Sequence, residues 1–119
     1  RLTPPLDYVQ MQQALVDACV VLTDSGGLQE EAPTFGIPVL VLREETERPE
    51  AVQAGCALLI GASRQVIVRE TLRLLTDTAA YTRMSQAGNP FGDGKASQRI
   101  VDVLAQGLIN ESVALTELA

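Results

Sequence analysis

The sequence contains no histidine and no tryptophan, and aromatic residues make up only 3% of its 119 positions. Histidine is the commonest general base and the commonest metal ligand in proteins. The chain is therefore not expected to coordinate a metal or to perform histidine-based acid–base catalysis. Because aromatic rings are scarce, few positions can stack on a nucleobase or a sugar.

Positive charge is also in short supply. Nine Lys and Arg residues stand against fifteen Asp and Glu residues, which gives a formal net charge of −6. No basic stripe is present, and this argues against binding to nucleic acid or to an anionic membrane surface. No apolar run has the length of a membrane span and no signal peptide precedes the first element, so a cytoplasmic setting is predicted.

The two cysteines, Cys19 and Cys56, do not have the spacing of a metal-binding pair. Each lies beside an apolar run that predicts a strand. We therefore predict two small buried thiols in a reducing compartment, rather than a disulfide or a zinc site.

Three short apolar runs, at residues 20–22, 39–42 and 57–60, predict buried strands. Helical spacing, capping residues and glycine or proline boundaries predict helices before, between and after them. The predicted helices cover about 7–17, 27–35, 49–54, 63–75, 78–86 and 95–108. Such alternation is typical of an α/β fold, in which a parallel sheet lies between two helical layers.

The length of the sequence allows one domain with a single core, and we interpret residues 1–119 as one partial domain. Leu2 and Thr3 are predicted to be the last residues of a strand that starts further upstream. Three or four strands are few for a sheet of this kind. Further strand–helix units are therefore expected upstream of Arg1.

A cluster of turn residues at 88–94 separates the last predicted helix from the others. The last helix has an apolar stripe that is predicted to point inward, formed by Ile100, Val101, Leu104 and Leu108. After it, the residues from 110 onward are expected to form a frayed extension or to contact something outside the sequence.

The strand at 20–22 is followed by Thr23, Asp24 and Ser25, then by Gly26 and Gly27 at the start of a helix. Ser and Asp are N-cap residues, while glycine lets a ligand approach the backbone closely. The first N–H groups of a helix and its positive dipole end suit a phosphate or a diphosphate. Taken alone, a Ser-Gly-Gly turn is more often only a helix cap.

A second loop is predicted to meet this turn. Residues 43–48 follow the strand at 39–42, and ligands of open parallel sheets bind at the carboxyl ends of the strands. The guanidinium of Arg48 can bind phosphate oxygens through two hydrogen bonds. The alternative is a surface arginine paired with Glu44 or Glu50. Convergence of two loops is more specific than either loop alone, and it favours an anion site.

Four segments together closely resemble one family, the non-hydrolysing UDP-N-acetylglucosamine 2-epimerases. They are 23–33 (TDSGGLQEEAP), 36–43 (GIPVLVLR), 46–51 (TERPEA) and 89–100 (NPFGDGKASQRI), with Phe91 where the family usually has tyrosine. The resemblance implies a GT-B-type enzyme with two Rossmann-like domains and UDP in the cleft. This chain would be most of the carboxyl-terminal domain, truncated, with its final helix (about 95–108) packed toward the missing amino-terminal domain.

The resemblance also implies UDP-binding roles. The residues concerned are Ser25, Gly26 and Gly27 at the diphosphate, Glu31 at the ribose hydroxyls, and Arg48 near the phosphates. Met11 occupies a position where the family often has an aromatic residue near the uracil, so at most an apolar contact with the base is expected. Core packing is an equal alternative for Met11.

The family interconverts UDP-GlcNAc and UDP-ManNAc by eliminating UDP to a 2-acetamidoglucal and adding it back with inverted stereochemistry at C2. Its acid–base carboxylates belong to the amino-terminal domain, and a histidine near the UDP lies upstream of this sequence. No catalytic residue is therefore expected here. The resemblance implies a UDP-sugar substrate, a homodimeric full enzyme, and neither cofactor nor metal. The chain alone is expected to bind UDP weakly or not at all and to be inactive.

Two other functions remain open on the sequence. A GT-B glycosyltransferase shares the scaffold, although the segment 46–50 favours the epimerase. A non-catalytic binding or assembly module would keep the scaffold without the chemistry. Paired acidic residues in an upstream domain would favour the enzyme over such a module.

Overall fold

Three short parallel strands form the centre of the computed structural model, which describes the backbone of residues 2–117 and the side chains of residues 2–107. The strands are β1 (Val21–Thr23), β2 (Val39–Val41) and β3 (Ala57–Leu59), in the order β1-β2-β3. Their central residues are aligned, because Leu22 pairs with Leu40 and Leu40 pairs with Leu58. The predicted α/β class with a parallel sheet is confirmed.

The helices alternate with the strands as the sequence predicts. α1 (Tyr8–Asp17) precedes β1, and α2 (Gly26–Glu31) follows it and continues as a 3-10 turn (Ala32–Phe35). The α-helical pattern does not run through Pro33, because proline has no N–H to donate to the carbonyl four residues earlier. The remaining helices are α3 (Pro49–Ala54), α4 (Arg64–Thr76), α5 (Thr78–Ser85) and α6 (Ala96–Glu117).

Helices cover both faces of the sheet. On one face, Val39 and Val41 of β2 pack in a cluster with Leu15 of α1 and Ala51 of α3. On the other face, Leu40 packs with side chains of α4 and α5. All three β2 residues are 0% exposed, and burying one such aliphatic side chain contributes about 1.5–3 kcal/mol. β2 is thus the common centre of two cores, and the three-layer arrangement is confirmed.

Glycine and proline residues set the element boundaries that the sequence predicts. Gly36 ends the 3-10 turn with φ of 67°, and Gly55 ends α3 with φ of 87°. Both lie in the left-handed region, which only glycine adopts at little cost. Pro49 is the first residue of α3, where its missing N–H leaves no helical hydrogen bond unmade.

Two predictions near the amino end are wrong. Leu2 and Thr3 do not form a strand, and Leu2 is fully exposed. No strand among residues 2–117 lies beside them, so their backbone has no ladder to join. Cys19 is exposed, whereas Cys56 is buried as predicted, and burial raises the pKa of the Cys56 thiol. Cys19 lies in the turn before β1, and β1 is an edge strand, which places this turn at the margin of the domain.

The last helix also differs from the prediction. α6 ends at Glu117 instead of residue 108, so the expected frayed extension is helical up to that point. The final two residues lie outside the described chain. Three side chains predicted to point inward are exposed, namely Ile100, Val101 and Leu104, and the side chain of Leu108 is not among those described. None of the described helices, α6 included, combines the length and the apolar character needed to cross a bilayer.

Candidate functional site

The Ser-Gly-Gly turn lies where β1 ends and α2 begins. Ser25 has an extended backbone (φ −79°, ψ 130°) and immediately precedes Gly26, the first residue of α2. The Ser25 side chain makes no capping hydrogen bond. The first N–H groups of α2 are therefore not satisfied by a side-chain cap, and they lie at the carboxyl edge of the sheet. The predicted sequence of strand, turn and helix is confirmed.

The loop after β2 brings Arg48 onto this turn. A Cβ atom added to Gly26 would lie 3.8 Å from Nη2 of Arg48 and 3.9 Å from its Cζ. The guanidinium therefore lies about one van der Waals contact from Gly26, beside the start of α2. The two loops converge as predicted from the topology. The carboxylate that Arg48 meets belongs to Glu30 of α2, and not to either of the alternatives proposed from the sequence.

The guanidinium of Arg48 is held on two of its three nitrogens. Nε donates a hydrogen bond to the Glu30 carboxylate, and Nη1 donates to the backbone carbonyl of Glu47 at 3.1 Å. Nη2, the nitrogen nearest Gly26, has no hydrogen-bond partner among the described residues. The side chain is 36% exposed, so an anion at the start of α2 could reach this nitrogen from solvent.

Two polar side chains, Gln29 of α2 and Thr46 of the loop after β2, connect the Ser-Gly-Gly turn with this loop. Gln29 of α2 is 0% exposed, and its Nε2 donates to the backbone carbonyl of Ser25 at 3.2 Å. The hydroxyl of Thr46 donates to Oε1 of Gln29 at 2.6 Å and accepts the backbone N–H of Arg48 at 3.0 Å. These hydrogen bonds run from the Ser-Gly-Gly turn to the backbone of Arg48.

The contact between Gln29 and Thr46 was not predicted from the sequence. Gln29 lies three and four residues before the buried Ala32 and Pro33, which places it on the helix face toward the core. That spacing was the available signal. The partner could not have been identified from spacing alone, because Thr46 is 17 residues away in the chain.

Glu31 lies on the other side of the turn. Its Oε1 would be 3.8 Å from a Cβ atom on Gly27, and the hydroxyl oxygen of Ser25 would be equally far from that point. Oε2 of Glu31 accepts a hydrogen bond of 2.7 Å from Nε2 of Gln12. α1 thus fixes one carboxylate oxygen and leaves the other beside the turn.

The structure brings five of the six predicted site residues together. Four of them belong to the turn and to α2, and the fifth is the arginine of the next loop: Ser25, Gly26, Gly27, Glu31 and Arg48. Met11 is adjacent to Gln12 on α1 and is partly buried. It does not belong to either described core cluster.

The loop after β2 contains a local ion pair between Arg43 and Glu47. Nη1 of Arg43 donates to both carboxylate oxygens of Glu47, at 2.8 and 3.0 Å. The pKa of Glu47 lies below its ordinary value, first because a backbone N–H bonds to its carboxylate and then because Arg43 is close. Both side chains are largely exposed, so the pair contributes little to stability. It restrains the backbone immediately before Arg48.

The segment at 89–100 contacts the far side of α2. The side-chain amide of Asn89 donates to Thr34 Oγ1 at 2.7 Å and to the backbone carbonyl of Glu30 at 3.4 Å. Phe91 packs against the cluster on that face of the sheet. Asn89 and Phe91 therefore support the orientation of α2. Within the described residues, no group of three or more Cys, Asp or Glu side chains is arranged to hold a metal ion.

Comparison with known proteins gives one consistent result. Residues 1–105 match the family model described as UDP-N-acetylglucosamine 2-epimerase. The chain is 49% identical over 109 residues to a UDP-N-acetylglucosamine 2-epimerase of Campylobacter jejuni. The aligned part is 92% of this chain and 28% of that protein.

Solved structures of such epimerases have a comparable sequence identity to this chain. The S. aureus MnaA–UDP co-structure is 48% identical with a TM-score of 0.82, and the match covers 90% of this chain and 29% of that one. The UDP-GlcNAc 2-epimerase of Neisseria meningitidis bound to UDP-GlcNAc is 42% identical with a TM-score of 0.83, over 87% of this chain and 28% of that one. The chain thus spans little more than a quarter of the length of the relatives it matches.

Proposed function

Because this chain belongs to the UDP-N-acetylglucosamine 2-epimerase family, we propose that it is the UDP-binding portion of such an enzyme. Residues 1–119 would form a single partial domain, the carboxyl-terminal Rossmann-like half of a two-domain GT-B-type protein. The observation that carries the proposal is the position of the Arg48 guanidinium against Gly26, at the start of α2. The S. aureus relative, which is named as a UDP complex, supports the choice of ligand.

The diphosphate of UDP would be bound from two sides. On one side, the Ser25 hydroxyl and the N–H groups of Gly26 and Gly27 would donate hydrogen bonds to its oxygens. On the other side, Nη2 of Arg48 would donate from the neighbouring loop. The two sets of donors meet at the same edge of the sheet, where ligands of such folds bind.

The nucleoside would be bound by α1 and the end of α2. Oε1 of Glu31 would accept hydrogen bonds from the ribose hydroxyls, with Oε2 held by Gln12. Met11, one residue before Gln12, would make an apolar contact with the base. Glu31 and Arg48 thus recognise different parts of one ligand, the sugar hydroxyls and the phosphates.

In the proposed reaction of the whole enzyme, UDP is eliminated from UDP-GlcNAc to give a 2-acetamidoglucal and is then added back to give UDP-ManNAc. The share of this chain is to bind the leaving diphosphate. Negative charge grows on the β-phosphate as the bond to C1 breaks, and prearranged N–H donors stabilise that charge. We place the acid–base carboxylates in the part of the enzyme that this chain does not contain.

Besides the nucleotide, we propose that the chain contacts other parts of the same enzyme. The exposed apolar side chains of α6 would pack toward the amino-terminal domain, and the complete enzyme would be a homodimer. The cytoplasm remains the predicted setting. The chain by itself is expected to catalyse no epimerisation of UDP-GlcNAc, and detectable UDP-ManNAc formation by the purified 119-residue chain would contradict this assignment.

Thermal unfolding with and without ligand tests the proposed binding directly. A ligand that binds only the folded chain stabilises it by about 1.4 kcal/mol at ten times its Kd, so millimolar UDP is expected to raise the Tm by a few degrees. Uridine at the same concentration is expected to raise the Tm less, because it lacks the diphosphate. The sequence left weak binding and no binding open for the chain alone, and we propose weak binding. Equal shifts with UDP and uridine, or no shift with either, would therefore overturn the proposal.

A further inference from the structure

The hydrogen bonds between the two loops suggest how the proposed phosphate contact is maintained. Resting on the proposed UDP site, we propose that Gln29 and Thr46 are positioning residues, which hold Arg48 where its guanidinium can meet a phosphate at the start of α2. Neither side chain is placed in contact with the nucleotide. Their effect on binding passes through Arg48.

The hydrogen bonds are matched in direction along the whole path. The amide nitrogen of Gln29 is used by the carbonyl of Ser25, so its amide oxygen is left to accept. The hydroxyl of Thr46 donates its single proton to that oxygen. Its own oxygen then accepts the backbone N–H of Arg48. Each group has one role, and a reversed or missing group would leave a neighbour without a partner.

Burial makes this arrangement rigid. Gln29 is 0% exposed and Thr46 is partly buried, so water cannot readily replace a lost partner of the Gln29 amide. The bond to Thr46 connects α2 with a loop whose other side-chain interactions include the exposed pair of Arg43 and Glu47 and the ion pair of Arg48 with Glu30. Because Thr46 also accepts the backbone N–H of Arg48, the Gln29–Thr46 bond is the one that acts on the backbone at residues 46–48.

The ion pair between Glu30 and Arg48 completes the geometry. Glu30 occupies Nε, which turns Nη2 toward Gly26. This orientation is useful only while the backbone of Arg48 is held at the correct distance from α2. A purely structural Gln29–Thr46 pair would affect the stability of the fold but not the share of binding that comes from phosphate.

The test uses variants of Thr46 in the 119-residue chain. Thr46→Val keeps the shape of the side chain but removes the hydroxyl, whereas Thr46→Ser keeps the hydroxyl. Dissociation constants for UDP and for uridine are measured by NMR titration. The ratio of the Kd for uridine to the Kd for UDP gives the contribution of the diphosphate to binding. Thr46→Val is expected to reduce that ratio about five- to tenfold, and Thr46→Ser is expected to restore most of it. Gln29→Met provides a second variant at the other end of the bond.

Two controls separate positioning from a general loss of stability. Thr76→Val removes a hydroxyl that bonds to the Leu72 carbonyl on α4, away from the site, and should leave the ratio unchanged. In an Arg48→Ala background, Thr46→Val should cause no further reduction, because the residue that it positions is gone.

The outcomes distinguish this inference from the proposal on which it rests. If the unmodified chain binds UDP no better than uridine, the proposed function is overturned and the inference with it. If the unmodified chain prefers UDP and Thr46→Val keeps the full preference, the inference alone is overturned. A further loss from Thr46→Val in the Arg48→Ala background would also overturn it, since the effect would then not pass through Arg48.

Discussion

Arg48→Ala is expected to weaken UDP binding about tenfold or more while leaving uridine binding unchanged, because a hydrogen bond from a charged donor contributes about 1.5–3 kcal/mol. The lower end of that range is the appropriate one, since the guanidinium is 36% exposed and shares its charge with Glu30. Arg48→Lys should recover only part of the loss, because an ammonium cannot bind Glu30 and a phosphate in the same planar geometry. Isothermal titration or NMR titration with UDP and uridine measures both effects.

Arg64→Ala is the matched control for this experiment. Arg64 is exposed at the start of α4 and forms no ion pair among the described residues, so its replacement removes the same charge without removing a contact of the proposed site. It should leave both dissociation constants within error of the parent chain. Equal losses from Arg48→Ala and Arg64→Ala would mean that UDP responds only to net charge, and the specific role of Arg48 would be wrong.

Leu40→Ala is expected to destabilise the chain by about 2–5 kcal/mol, which is a large part of the total stability of a small domain. Leu40 is 0% exposed, at the middle of the central strand, and it packs with α4 and α5. Removing its side chain leaves a cavity that a close-packed core can fill only in part. Urea unfolding followed by circular dichroism measures the loss, and the same variant should lose the response to UDP wherever it is unfolded.

Leu22→Ala provides a control in the same row of the sheet. Leu22 pairs directly with Leu40 but lies on the edge strand and is 40% exposed. The same chemical change should therefore cost much less there, about 1 kcal/mol or below. Comparable losses at the two positions would contradict the assignment of β2 as the centre of both cores.

Much of the local structure could be predicted because it depends on neighbouring residues. Gly36 and Gly55 end helical segments in conformations that a side chain would disfavour, and Pro49 starts α3 where its missing N–H costs nothing. The apolar runs identify the strands because a parallel strand is buried on both faces. From those strands, the rule that loops at their carboxyl ends share one edge was sufficient to place Arg48 near Gly26.

The partners within the site could not be predicted in the same way. Glu30 and Arg48 are 18 residues apart, and Gln29 and Thr46 are 17 apart. Their contacts depend on how far each loop extends beyond the sheet, which the strand pattern does not determine. Glu44 and Glu50 lie within four residues of Arg48 in the chain, whereas Glu30 lies 18 residues away, so they were the natural but wrong candidates for pairing with Arg48.

Burial was predicted less well at the margins of the domain. An apolar pattern such as Ile100, Val101 and Leu104 indicates a helix face that needs a partner, but it does not indicate which part of the protein supplies one. Within the described residues these side chains are exposed. Cys19 was misplaced for a related reason, because an apolar neighbourhood in the sequence implies burial only when the adjoining strand is covered on both sides.

The most direct test of the central claim is to locate UDP on the ¹⁵N-labelled chain by amide chemical-shift mapping. UDP is expected to shift the backbone amides of Ser25, Gly26 and Gly27 and those of Thr46 and Arg48, whereas uridine, which has no diphosphate, is expected to spare both groups largely. A response confined to the segment at 89–100, or a UDP response that leaves Gly26 and Arg48 unchanged, would contradict the proposed site.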